Sequence, residues 1–163
     1  MASFENVKIT AMDNALLQEH PEIINLLQKA YNTEYLAWLV YEHAAHLIFG
    51  HKREFLVTHF EEHAVEEEEH ADWVGHRLAA LGEIPRLDMK ILKRANFDTI
   101  DTQEILTFIM QLEGEAVSLY SSILPLLEKH AAMRAKIEEI VAVEQEHFED
   151  FEKMMRGTNI NQA

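Results

Sequence analysis

Apolar residues return every three or four positions along four long stretches of this chain, and Gly and Pro rarely interrupt them. That period gathers apolar side chains on one face of an α-helix, whereas a strand would alternate by two. The first stretch follows Glu19-His20-Pro21-Glu22, where Pro suits a first helical turn and acids suit its positive end. Its stripe is Ile23, Leu27, Ala30, Glu34, Ala37, Tyr41, Ala44 and Ile48, and Gly50 stops it. A second helix is predicted from about Arg53 to Leu81, through Leu56, Phe60, His63, Glu67, His70, Val74, Leu78 and Leu81, ended by Gly82 with Pro85 beyond. A third begins at the capping sequence Asp101-Thr102-Gln103-Glu104 and carries Ile105, Ile109, Leu112 with Glu113, Ala116, Leu119 with Tyr120, and Ile123. Pro125 is expected to kink its end. The fourth, from about Ala132 to Met155, shows Ile137, Val141, Glu144, Phe148 and Phe151, with His147 beside Phe148.

Residues 82–102 separate the two halves with a mixed pattern, long enough to cross the length of a bundle. The expected fold is therefore all-α, a four-helix bundle of two antiparallel helix pairs joined by a long crossover. Residues 1–18 show no sustained period and read as an irregular N-terminal arm with room for one short turn. Residues 19–157 make the bundle and 158–163 a C-terminal tail. A length of 163 residues, 48% of them apolar, suits one domain with a substantial core, and five Gly with three Pro are few for a turn-rich β-fold.

The absence of Cys excludes disulfides, iron–sulfur clusters, Cys-type zinc sites and rubredoxin-type iron. No apolar run has signal-peptide or membrane-spanning length, so a soluble, cytoplasmic protein is expected, with no membrane partner. The net charge of −15 argues against a general nucleic-acid surface, since phosphate binding relies on clustered Lys and Arg; a local basic patch at Arg86 to Arg94 stays open. Solvated helix faces account for most of the carboxylates.

Four carboxylates stand apart because they interrupt apolar stripes. Glu34 and Glu113 do so singly, and Glu67 and Glu144 each open a Glu-x-x-His with His70 and His147. The motif alone is uninformative, since a chain so rich in Glu and His holds about 1.4 by chance. Placement carries the information. Glu34 lies sixteen residues before Gly50 and Glu67 seventeen after it, so a hairpin turning there brings both to one level. That level is about 25 Å from the turn. Glu113 and Glu144 are likewise balanced about a turn at Lys129 to Ala131. Each half thus sets one Glu and one Glu-x-x-His inside, where uncompensated charge is expensive and metal cations can neutralise it. Carboxylates with one imidazole per metal favour iron or manganese over structural zinc. For any one of these residues taken singly, a core His or a misread register is the simpler reading.

The runs Asn32-Thr33-Glu34-Tyr35-Leu36-Ala37 with Tyr41, Glu67-Glu68-Glu69-His70-Ala71-Asp72 with Leu81-Gly82-Glu83-Ile84-Pro85, and Glu144-Gln145-Glu146-His147 resemble bacterioferritin, within the ferritin-like superfamily. The resemblance implies a ferroxidase centre holding two iron ions per subunit, with manganese or zinc as possible occupants on isolation. Glu34 and His70 would ligate one ion, Glu113 and His147 the other, and Glu67 and Glu144 would bridge. Iron(II) would be oxidised by dioxygen or hydrogen peroxide and stored as a mineral. Tyr41 matches a tyrosine that can supply an electron; a packed core tyrosine is the equal alternative. Glu113 is the weakest of the six, on the helix of poorest period. His63 and Glu66 could lead iron inward, or act as a buried polar support and part of a solvated face.

Two departures matter. Bacterioferritin carries a haem-binding Met in its second-helix motif where this chain has Glu68, which argues against haem. The sequence also lacks the residues for a fifth helix, and in this is similar to the Dps-like group, which implies a homo-oligomer, a twelve-subunit cage. A rubrerythrin-like peroxidase without storage, and a non-catalytic metal-binding helical assembly protein, are the alternatives.

Overall fold

A computed structural model describes residues 11–159, and among them all regular structure is helical. The order is α1 (Ala11–Glu19), α2 (Ile23–Leu47), α3 (Arg53–Ala80), α4 (Lys90–Arg94), α5 (Thr102–Ile123), a 3-10 turn at Leu124–Leu127, and α6 (Ala131–Asn159). Helix α2 packs most extensively on α3 and α5 on α6, and α2 against α5 joins the hairpins. The all-α four-helix bundle expected from the periods is the fold observed.

Helix ends follow from local chemistry. Gly50 and Gly82 have φ of 85° and 83°, a left-handed conformation that disfavours a side chain. After α3, Gly82 N donates to Ala79 O and Glu83 N to Leu78 O, both at 3.0 Å, so the last carbonyls find donors in a Schellman arrangement. The Asp101 carboxylate accepts from Gln103 N at 2.8 Å and Glu104 N at 3.1 Å, capping α5. Pro125 sits in the first turn of the 3-10 segment and ends the α-helical path, as its missing N–H requires.

The crossover runs along α2 rather than free of it. Gln28 Nε2 donates to Arg86 O at 2.6 Å, Asp88 N donates to Asn32 Oδ1 at 2.6 Å, and His43 Nδ1 lies 3.1 Å from Ala95 O. In the basic patch, Arg94 pairs with Glu115 at 2.6 Å.

Three expectations need correction. The arm read as irregular is helical from Ala11 to Glu19, because Leu16 is fully buried in the core and Asp13 pairs with Arg77; tertiary contacts hold a helix that has no sustained period. Residues 1–10 of that arm lie outside the described residues. The last helix runs beyond Met155 to Asn159, past the expected bundle limit, and residues 160–163 of the expected tail lie outside the described residues. On α6 the buried stripe is Met133, Ile137, Ile140, Glu144, His147 and Phe151; Val141 and Phe148 are only half-buried. His147, not Phe148, therefore occupies the inward step.

Two apolar layers fill the bundle. One includes Tyr41, Ile48, Phe60, Ile105, Ile109 and Phe151; the other, at the opposite end, includes Leu16, Ile23, Leu27, Leu78, Tyr120, Ile123 and Ile137. The polar residues of the stripes lie between them.

Candidate metal centre

Each of the four long helices brings one carboxylate to this middle layer. Glu34, Glu67 and Glu144 have no exposed surface, Glu113 has 1%, and His147 and His70 have 5% and 7%. Ligand atoms of Glu34, Glu67, His70 and Glu144 lie within 4.8 Å of one another, and so do those of Glu67, Glu113, Glu144 and His147. Glu67 and Glu144 belong to both groups. All six residues singled out in the sequence meet at one place, Glu113 included, while Glu115 faces solvent.

The carboxylates and imidazoles converge without satisfying one another. His70 Nδ1 is 2.8 Å from Glu144 Oε1, yet the pair has no hydrogen-bond geometry. Glu34 Oε2, both oxygens of Glu67 and of Glu144, Glu113 Oε2, and Nδ1 of both histidines are buried and lack hydrogen-bond partners. Buried polar atoms are normally paired, and unpaired buried carboxylates cost several kcal/mol each, roughly. Eight such atoms aimed at one space fit a pair of cations, and oxygen-rich sets with imidazole suit iron or manganese.

The electrostatics of the metal-free site express the same cost. Burial pushes the Glu67 and Glu144 carboxyls well above the usual range, and neighbouring carboxylates add to it. Burial likewise raises Glu34, to about 7. Burial, then the nearby His147, lowers His70 to about 4, which keeps its nitrogen free to ligate. For His147 burial pulls down, but Glu113 and Glu66 outweigh it and the net shift is upward.

Beside the six ligand candidates stand two buried tyrosines. The Tyr41 hydroxyl donates to Glu113 Oε1, and the Tyr120 hydroxyl donates to Glu34 Oε1. Each tyrosine thus crosses from its own hairpin to steady the single Glu of the other. The partnership of Tyr120 was not foreseen, although it follows Glu113 at the spacing by which Tyr41 follows Glu34. Glu66, half-exposed, accepts from His147 Nε2 at 2.8 Å, which leaves Nδ1 facing inward, 3.4 Å from Glu67 Oε1 and 3.8 Å from Glu113 Oε2. A carboxylate on the outer nitrogen is the usual device for fixing the tautomer of a ligating histidine. His63 is buried, with Nδ1 3.2 Å from the Tyr41 hydroxyl.

A sequence profile of the ferritin-like domain matches residues 24–160. This chain belongs to the ferritin-like family. No curated protein sequence matches the ferritin-like chain. Among solved structures it is similar to a ferritin-like, diiron-carboxylate protein of Bacillus anthracis, at 24% identity and TM-score 0.77, over 84% of this chain and 97% of that one. It is also similar to the bacterioferritin-related protein of Bacteroides fragilis, a dodecameric thioferritin, at 24% identity and TM-score 0.82, over 93% and 95%. A Dps homologue of Halobacterium salinarum matches at 18% identity and TM-score 0.76, over 85% and 81%. No helix among the described residues is long and apolar enough to cross a membrane.

Proposed function

We propose that this chain is a ferroxidase: it binds iron(II) at an intrasubunit pair of sites, passes the electrons to hydrogen peroxide or dioxygen, and stores the iron(III) in a protein cage. The observation that carries the reading is the set of eight buried, unpaired ligand atoms at mid-bundle, costly to bury without cations and a ready site with them.

Glu34 and His70 would hold one ion, Glu113 and His147 the second, and Glu67 and Glu144, common to both groups, would bridge. Bound iron supplies the electrons, and the chain supplies geometry and charge. The four carboxylates offset the positive charge that grows as iron(II) becomes iron(III). Tyr120 and Tyr41 hold one oxygen of Glu34 and of Glu113, leaving the other oxygen of each for metal. Glu66 keeps the His147 proton on Nε2. The apolar layers on either side exclude water from the centre, which strengthens every charge interaction there. Tyr41, buried against Glu113, is the residue placed to give up an electron with its proton passing to that carboxylate.

For the cage, the dodecameric assembly of the Bacteroides fragilis neighbour supports twelve subunits here as well. The test combines aerobic iron(II) addition with a size measurement, on the wild type and on Glu67→Ala/His70→Ala. Expected is a large assembly that oxidises and retains iron, and a double variant that assembles but oxidises no faster than buffer. A small oligomer turning over peroxide without retaining iron would replace storage by a rubrerythrin-like peroxidase. Oxidation no faster than buffer by the wild type would end the enzymatic reading.

A further inference from the structure

Positive charge is scarce in this chain, 14 Lys and Arg against 29 Asp and Glu, yet Arg86, Lys90, Lys93 and Arg94 crowd into one stretch of the crossover. Most cations elsewhere are neutralised where they stand, as Lys129 is by Glu19, Lys136 by Glu139 and Arg156 by Glu152. Arg86, Lys90 and Lys93, with Lys29 of the underlying α2, form no ion pair with any described residue. Like charges held together without partners repel, so such a cluster is either left to solvent or kept for an anion. The backbone decides between the two, because the segment is clamped. Gln28 Nε2 donates to Arg86 O at 2.6 Å while Gln28 Oε1 accepts from Arg86 N at 3.2 Å. Asn32 Nδ2 donates to the same Arg86 O at 2.9 Å, and Asn32 Oδ1 accepts from Asp88 N at 2.6 Å. Asp88 Oδ1 in turn accepts from Lys90 N at 3.0 Å. The cations therefore stand on a fixed frame.

We propose that the clamped crossover and α2 form a binding site for the phosphate group of a small molecule. Two surface clefts meet there and share Lys29 and Asn32. The first, about 350 Å³, is lined by Lys29, Thr33, Leu36, Lys90, Ile91 and Leu119. The second, about 530 Å³, brings in Arg86 and Asp88. Arg94 also lines the first cleft, but its Nη2 donates to both oxygens of Glu115, at 2.7 and 2.6 Å. The ammonium groups of Lys29 and Lys90 are thus the cations left for a ligand in the first cleft, with the Arg86 guanidinium in the second. Glu115 and Asp88 are outnumbered by the four basic residues lining the two clefts, so the balance is positive. The Thr33 hydroxyl, which bonds to no other described residue, adds a neutral donor.

A phosphate monoester carries close to two negative charges near neutrality and three acceptor oxygens, which suits a pair of ammonium groups with a hydroxyl beside them. Leu36, Ile91 and Leu119 give the first cleft an apolar side, which favours a phosphate bearing an organic group over the bare ion. A nucleic acid fits less well. The cluster is a few residues wide on a chain of net charge −15, so a long polyanion that leaves it meets repulsion. Thr33 and Leu119 are the chain neighbours of Glu34 and Tyr120, which sets the first cleft outside the metal centre at its level. The site does not depend on whether that centre oxidises iron.

The test is titration of the metal-free, intact assembly with inorganic phosphate and with phenyl phosphate, followed by calorimetry and phosphorus NMR. Metal-free protein is used so that iron captures no phosphate. Saturable binding is expected, tighter for phenyl phosphate, weakened by about tenfold in Lys29→Gln and in Lys90→Gln, and unchanged in Lys153→Gln. All three lysines are exposed, so the variants keep the bundle folded, which circular dichroism checks. Equal affinity for the two probes would uphold the site and make free phosphate its ligand. No saturable binding, or binding that Lys29→Gln and Lys90→Gln leave unchanged, would overturn the site. A short DNA duplex that binds more tightly than phenyl phosphate, and loses affinity in the same two variants, would overturn the small-molecule assignment in favour of nucleic acid.

Discussion

The half of the centre built on Glu34 and His70 and the half built on Glu113 and His147 have the same ligand types, and differ in what stands behind them. In the first, Tyr120 supports Glu34, and the charged groups of α6 near His70, besides the ligand candidates, are Lys136 and Glu139. In the second, Tyr41 supports Glu113 and also meets His63, and Glu66 holds the outer nitrogen of His147. Near His70 the neighbouring charges are paired with each other, Lys136 with Glu139 at 2.8 Å, whereas the second half continues in polar contacts through His63 and Glu66 toward the surface. The lesson is that a repeated ligand set does not make equal sites, because the residues behind the ligands set access and proton position.

The largest expected effect comes from removing what the halves share. Glu67→Ala and Glu144→Ala each abolish oxidation above buffer, by about 100-fold or more, since each takes a ligand from both ions. The metal-free form of either variant is expected to melt higher than metal-free wild type, because an unpaired buried carboxylate is gone. Stopped-flow iron oxidation and thermal melts read both, and a lower melting temperature without metal would refute the charge argument. Next, Glu66→Gln is expected to weaken the second ion by about tenfold to 100-fold, as the orienting carboxylate is lost, while Val143→Ala, at the matching position of the other motif, leaves the first ion's affinity unchanged. Equal effects at both positions would erase the asymmetry.

A smaller difference is expected between the tyrosines. Tyr41→Phe and Tyr120→Phe each leave a buried carboxylate oxygen without its donor, costing about 1–3 kcal/mol of stability in denaturant melts of the metal-free protein. Only Tyr41→Phe is also expected to slow iron oxidation, several-fold in stopped-flow traces, if the half that carries His63 is the half that supplies an electron. The least effect is in protons. Burial and the neighbouring carboxylates hold Glu67 and Glu144 well above the usual carboxylate range without metal, so protons compete with cations for these oxygens. Anaerobic zinc binding is then expected to release protons, and its affinity to rise with pH until those carboxyls are ionised, which indicator dye titrations check.

Much of this was legible in the chain. Four helices followed from four apolar stripes, and the six ligand candidates from polar residues inside them, balanced about Gly50 and the turn near Lys129. Glu113, on the helix whose period looked poorest in the sequence, fell inward with Leu112 and Ala116 beside it. Elsewhere the pattern misled. Phe148 outranked His147 by hydrophobicity, yet the helix turned His147 inside, and nothing in residues 11–19 announced the helix that Leu16 anchors.

Helical period is a local property, since each residue's face depends on neighbours three and four positions away, and so the sequence by itself determined the bundle and the level of its polar layer. Which tyrosine meets which glutamate is a different matter. Tyr41 reaches Glu113 and Tyr120 reaches Glu34 across hairpins, and Glu66 of α3 reaches His147 of α6. Those pairings depend on the angle and offset at which two separately encoded hairpins dock, and only the tertiary structure decides that.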